Sequence, residues 1–172
     1  KKGPAFDYTG EGWGLCYDGR EIVMSDGSAR LTFRGPDTFR PMREITVRIG
    51  GQPVEALNEL ECVGPHVYAN IWMTDRIVRI DPATGAVLRS IESNRFVTGV
   101  TWVDGELWHA TWEGDECDLR RIDPRMGKVL ERLEMQLGNG VSGLESDCGD
   151  LFFCGGGRRG KVRVVRRTAR RG

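Results

Sequence analysis

The stretch LNELECVGPHVYANIWMTDRIVRIDPATG, residues 57–85, places side chains able to do chemistry inside a run otherwise built for burial. Asn58 and Asn70 offer amides, Glu59 and Glu61 offer two carboxylates at i, i+2, and Trp72 offers an indole. A carboxylate can take and return a proton if its surroundings bring its pKa near the working pH. An amide can hold a polar substrate group, and an indole can wall a small pocket. Each also has a plainer use. Two carboxylates on one strand face commonly pair with nearby arginines. Asn58 can bond backbone groups where a strand enters a sheet, and indoles pack freely between sheets; Trp102, Trp108 and Trp112 fit the packing faces of a strand pair.

Other chemistry is poorly supported. Two histidines, His66 and His109, are too few for a three-histidine metal site. Five cysteines with no CxxC pair argue against a disulfide framework and a structural zinc site, so they read as small buried apolar residues. CGGGRRG, residues 154–160, lacks the strand–loop–helix setting and the Lys-Ser/Thr ending of a phosphate loop. The chain has 172 residues, 39% hydrophobic and 29% charged, as expected of a globular domain. No stretch approaches 18 apolar residues, so no membrane span is expected. KKGPAFDYTG has no apolar segment of the kind a secretion signal needs, and the compartment stays open. The last fifteen residues hold eight Lys or Arg and no acid, within a chain of zero net charge. That tail could bind nucleic acid, but KVRVV alternates. It reads better as a solvated outer strand with Val162 and Val164 toward a core, so no nucleic-acid or membrane partner is expected.

The elements that must position these residues repeat. GLCYDGREIVMSD from Gly14, ELECVGPHVYANIW from Glu59, GVTWVDGELWHATW from Gly99 and GLESDCGDLFFCGG from Gly143 align. Each has an apolar run, a turn signal (Asp18-Gly19, Gly64-Pro65, Asp104-Gly105, Cys148-Gly149) and a second apolar run. The starts lie 45, 40 and 44 residues apart, and Pro36, Pro82 and Pro124 mark a second turn in the first three units. Four strands per unit of roughly 40–45 residues is the signature of a β-propeller. The fold class expected is all-β, one propeller of four four-stranded blades over about 10–50, 57–92, 97–136 and 141–168. Residues 4–9 are expected to supply the last outer strand and close the ring. RMGKVLERLEMQL could pass for a helix but falls at an outer-strand position. Trp13, Asn58, Thr98 and Ser142 each precede an aligned start, so all four should meet at one end of the central channel. Glu145 holds the place of Glu61 in its repeat, and Asp75, Asp81 and Asp123 read as turn residues.

GEGWGLCYDGREIVMSDGSARLTF and LNELECVGPHVYANIWMTDRIVRIDPATG resemble two blades of the propeller-type glutaminyl cyclases of plants and bacteria, over about residues 6–90. The second half resembles other bacterial propellers, of the streptogramin-lyase-like kind, so a mosaic or recombined chain is one expectation. The resemblance implies cyclisation of an amino-terminal glutamine at a metal-free site without cofactor, with glutaminyl peptides as partners. It implies Trp13 and Trp72 as pocket walls and Asn58 as a substrate-binding amide. The family's acid/base glutamate, in a Glu-Ser-Thr-Gly-like stretch, has no counterpart here. Its lysine falls at Gly157, beside Arg158 and Arg159, and arginine is a poor general acid. The catalytic residues are therefore unassigned, and a non-catalytic or residual-activity propeller is expected. An active cyclase releasing ammonia is the alternative. A calcium-dependent lactonase-like hydrolase using Asn58, Glu59, Glu61 and Glu145 is a second one. Blade exchange between chains is an open route to an oligomer.

Overall fold

The computed structural model describes residues 3, 5–136, 140–156 and 160–167. Among them there is no helix, and the strands form four blade sheets in chain order and one two-stranded hairpin. Blade 1 holds β1 (Gly14–Tyr17), β2 (Ile22–Ser25), β3 (Arg30–Arg34) and β4 (Pro41–Thr46). A small hairpin, β5 (Arg48–Ile49) and β6 (Gln52–Pro53), links it to blade 2. Blade 2 holds β7 (Leu57–Val63), β8 (His66–Ile71), β9 (Arg76–Ile80) and β10 (Val87–Glu92). Blade 3 holds β11 (Phe96–Val103), β12 (Glu106–Glu113), β13 (Glu116–Ile122) and β14 (Val129–Glu134). Blade 4 holds β15 (Gly143–Ser146), β16 (Leu151–Gly156) and β17 (Lys161–Arg166). Every pairing within a blade is antiparallel, giving the four-bladed propeller arrangement expected from the repeats.

The turns follow from local chemistry. Asp104 and Gly105 both have positive φ (53° and 78°), the geometry whose twist suits two paired strands. Asp81 accepts from the Ala83 amide and the Thr84 hydroxyl, and Asp123 accepts from the Arg125 and Met126 amides. These aspartates close the Pro82 and Pro124 turns, as expected. RMGKVLERLEMQL supplies β14 and is not a helix.

The core lies between blades. Val23, Leu31 and Phe33 meet Leu60, Val67 and Ile80 between blades 1 and 2. Tyr68 and Ile77 meet Val100 and Leu107 between blades 2 and 3, where Tyr68 stacks on Trp102 at 5.9 Å. Trp108 meets Phe152, Leu144 and Cys154 between blades 3 and 4, with ring centroids 4.8 Å apart for Trp108 and Phe152. The inner strands run close together. A Cβ at Gly99 would fall 2.7 Å from the Leu144 amide nitrogen, and one at Gly14 would collide with the Asn58 carbonyl. This is why three of the four aligned repeat starts are glycine.

Four expectations need correction. First, residues 5–9 form no strand and do not complete blade 4, which has three strands among the described residues. Phe6 and Tyr8 instead lie on Phe39 of blade 1 (5.9 and 5.7 Å), beneath the Arg34 guanidinium. Apolar and cation–π cover on that blade outcompetes a distant sheet edge. Second, Val162 and Val164 face away from blade 3 and are exposed; Val165 is the β17 residue packed inward. Third, Trp112 is 42% exposed, whereas Trp102 and Trp108 pack between blades as expected. Fourth, Cys16 and Cys62 are joined by a disulfide across the blade 1–2 interface, Cα atoms 5.5 Å apart. The odd cysteine count concealed this, because pairing depends on facing strands. Cys117 and Cys154 are buried free thiols, and Cys148 is exposed.

The disulfide closes a loop spanning 46 residues, so it restricts the unfolded chain by about 3–4 kcal/mol. Cys16→Ser should therefore lower the melting temperature by roughly 5–15 °C, and dithiothreitol should lower the wild type equally. Equal melting of reduced and oxidised protein would show that the bridge is not formed in solution.

Candidate functional site at the head of the inner strands

The positions of interest sit where the inner strands begin. Trp13 precedes β1, and its backbone amide bonds the Ser25 carbonyl at 3.0 Å. Its indole lies over Gly27, whose φ is +81°, and its Nε1 donates to Glu11 at 2.8 Å. The ring walls a cavity of about 320 Å³ shared with Tyr8, Leu15, Met24, Phe39 and Glu59. Trp13 and Glu59, from blades 1 and 2, are thus brought together.

Glu59 is the unusual group. It is partly buried at the bulge of β7, and its backbone amide donates to Asn70 Oδ1 at 3.0 Å. Burial, reinforced by the charge of Glu145 across the axis, pushes its carboxyl up to about 7. Gly143 makes room for it: a Cβ there would stand 3.2 Å from Oε1. Glu61 is likewise pushed to about 7 by burial and Glu145, although the Trp102 amide and the Thr101 hydroxyl favour its charged form. The Thr101 hydroxyl also lies 3.2 Å from Glu145 Oε1. Among the described residues, Glu59, Glu61 and Glu145 have no arginine ion pair, unlike Glu21 with Arg43 and Glu131 with Arg121. Among the described residues, no group of three or more His, Cys, Asp or Glu is arranged to hold a metal ion.

The other expected positions fall differently. Asn58 is buried; its side-chain nitrogen lies 3.4 Å from Asn70 Oδ1, and its carbonyl accepts from Ser25. Asn70 continues the chain of bonds to the Val97 carbonyl at 2.6 Å, fastening blade 2 to blade 3. Thr98 is buried with an unpartnered hydroxyl. Ser142 bonds the Gly155 carbonyl through its amide at 2.7 Å. Trp72 is half-buried, bonds the Ala56 carbonyl at 2.8 Å, and is not among the residues lining the Trp13 cavity. It leads into the Met73 turn, at the edge of a second cleft of about 470 Å³ that includes Phe96 and Trp112. Gly157, Arg158 and Arg159, where the lysine of the resembling family would fall, lie outside the described residues. Tyr8, Met24 and Phe39 were not foreseen in the pocket; the aromatics of FDYTG so close to GWG were the available signal.

The family model for glutamine cyclotransferase matches residues 1–99, which span blades 1 and 2 and the first residues of β11. The chain belongs to the glutamine cyclotransferase family. It is 29% identical over 144 residues to a glutaminyl-peptide cyclotransferase of Arabidopsis thaliana, covering 71% of this chain and 44% of that protein. Glutaminyl cyclase of Myxococcus xanthus superposes with a TM-score of 0.61 at 33% identity, covering 72% of this chain and 61% of that one. The chain therefore spans less than half the length of the plant relative and under two thirds of the bacterial one. The computationally designed protein Ika4 superposes over 94% of both chains with a TM-score of 0.59 at 13% identity, a likeness of fold alone.

The raised carboxyls carry a stability consequence. Glu59 and Glu61 titrate near 4.5 when unfolded and near 7 when folded. Folding takes up protons in that window, so their contribution to stability falls as pH rises through it. His109, wholly buried and lowered by burial to about 4 from 6.5, acts oppositely, adding stability as pH rises from 4 to 6.5. The two effects oppose each other below pH 6.5, and above it the glutamates act alone. Glu61→Gln should leave melting nearly unchanged at pH 4, below both values, and raise it at pH 8 by at least about 2–4 °C. A uniform shift at both pH values would refute the assignment.

Proposed function

We propose that the chain holds the amino-terminal glutamine of a peptide in the Trp13 cavity and that Glu59 moves the proton in its cyclisation, at a residual rate. The observation that carries this reading is a carboxyl held near 7 that opens into the same cavity as the Trp13 indole. The α-ammonium first loses a proton to become nucleophilic. Its nitrogen then attacks the side-chain amide carbon, closing a five-membered lactam. Ionised Glu59 takes the proton released from the attacking nitrogen and returns it to the amide nitrogen, which leaves as ammonia. The aromatic walls of Trp13, Tyr8 and Phe39 favour the folded side chain and exclude water. No described side chain is assigned to the developing oxyanion, which supports slow turnover.

The side-chain amide of Asn58 lies toward Asn70, and this favours a second reading, a non-catalytic propeller that binds such peptides. The calcium-dependent hydrolase has no described set of ligands in its favour.

Ammonia release from a glutamine-initiated dipeptide tests the proposal. Glu59→Gln should lower kcat about 100-fold or more, Trp13→Ala should mainly raise KM, and wild-type kcat should rise through pH 7 as Glu59 ionises. Turnover unaffected by Glu59→Gln would remove Glu59 from the reaction. Saturable peptide binding without ammonia release would select the non-catalytic reading.

A further inference from the structure

Each junction in the arc repeats one pattern, a blade offering one apolar face to the next. β1 packs on β7, β7 on β11 and β11 on β15, and among the described residues no packing of that extent joins β15 back to β1. Two faces are left over. On blade 1, Leu15 and Tyr17 of the inner strand are 54% and 56% exposed, although the inner strand of a propeller ordinarily lies between neighbours. On blade 4, Phe153, Val162 and Val164 are 36%, 70% and 58% exposed, and Phe153 pairs with Val164 on one face. These are the two unmatched halves of the junction seen three times within the chain.

We propose that a second copy of this chain covers both faces at once, the fourth blade of each copy packing on the first blade of the other about a two-fold axis. Continuity with the internal junctions is the argument, because a second copy supplies both missing halves in the correct sense. The join also bears on the pocket, since Leu15 belongs to both the free face and the Trp13 cavity. A partner's fourth blade becomes the wall that the cavity lacks on that side. The association itself does not depend on the reaction proposed above.

Sedimentation or light scattering of the whole chain across micromolar concentrations tests this. The expected species is a dimer of twice the chain mass. Tyr17→Glu and Val164→Glu change exposed side chains on the two opposite faces. Each should retain the wild-type circular dichroism spectrum and raise the dissociation constant about tenfold or more, a loss of roughly 1.4 kcal/mol. A wild-type monomer at all concentrations, open-ended oligomers in place of a dimer, or dimers indifferent to both substitutions would each overturn the proposal.

Discussion

A sheet with two apolar faces has to be covered twice, and this requirement governs the molecule. A sheet that is apolar on a face must bury it against another element, and here Phe33, Tyr68, Trp108 and Phe152 are seated between neighbouring blades. The same requirement draws the inner strands together until only glycine fits at Gly14 and Gly99. It lays Cys16 opposite Cys62. It also takes polar groups into the junctions, where they must be paired. Burial alone would raise the Asp118 carboxyl, but hydrogen bonds from Arg120 and Thr111, with the charges of Arg120 and Arg132, hold it below its usual range. That cluster keeps the Asp118 carboxylate charged inside the blade 2–3 junction.

At the axis the same packing has the opposite effect on charge. Glu59, Glu61 and Glu145 converge from blades 2 and 4 with Thr101 between them, and no described arginine or lysine pairs with them. Desolvation without a counter-charge destabilises the fold above neutrality, and it is also what poises a carboxyl for proton transfer. Glu59 also lines a cavity together with Trp13 and Phe39.

Much of this was legible in the linear pattern. Turn signals at Asp18-Gly19 and Asp104-Gly105 and the proline turns at Pro82 and Pro124 act within a few residues, so they fall where expected. Trp13 and Glu59 were legible as residues, one from its motif and one from its setting, but their shared cavity was not. Their approach depends on the angle between blades 1 and 2. The disulfide was hidden for the same reason, since a count of cysteines carries no information about facing strands. The valines of KVRVV illustrate a narrower failure. Alternation correctly implied a strand, but which of its two faces lies inward depends on register, and Val165 is the residue that packs.

The sequence by itself determined the period, the strand content and the family, because these rest on local turns and on the order of short motifs. Only the tertiary structure decided that the amino-terminal aromatics cover blade 1 rather than close blade 4. It alone decided that Glu59 and Trp13 line one cavity while the Asn58 amide lies toward Asn70. Neighbours in sequence can face opposite ways across a bulge, and residues of different blades meet only when desolvation and packing have set the junction between them.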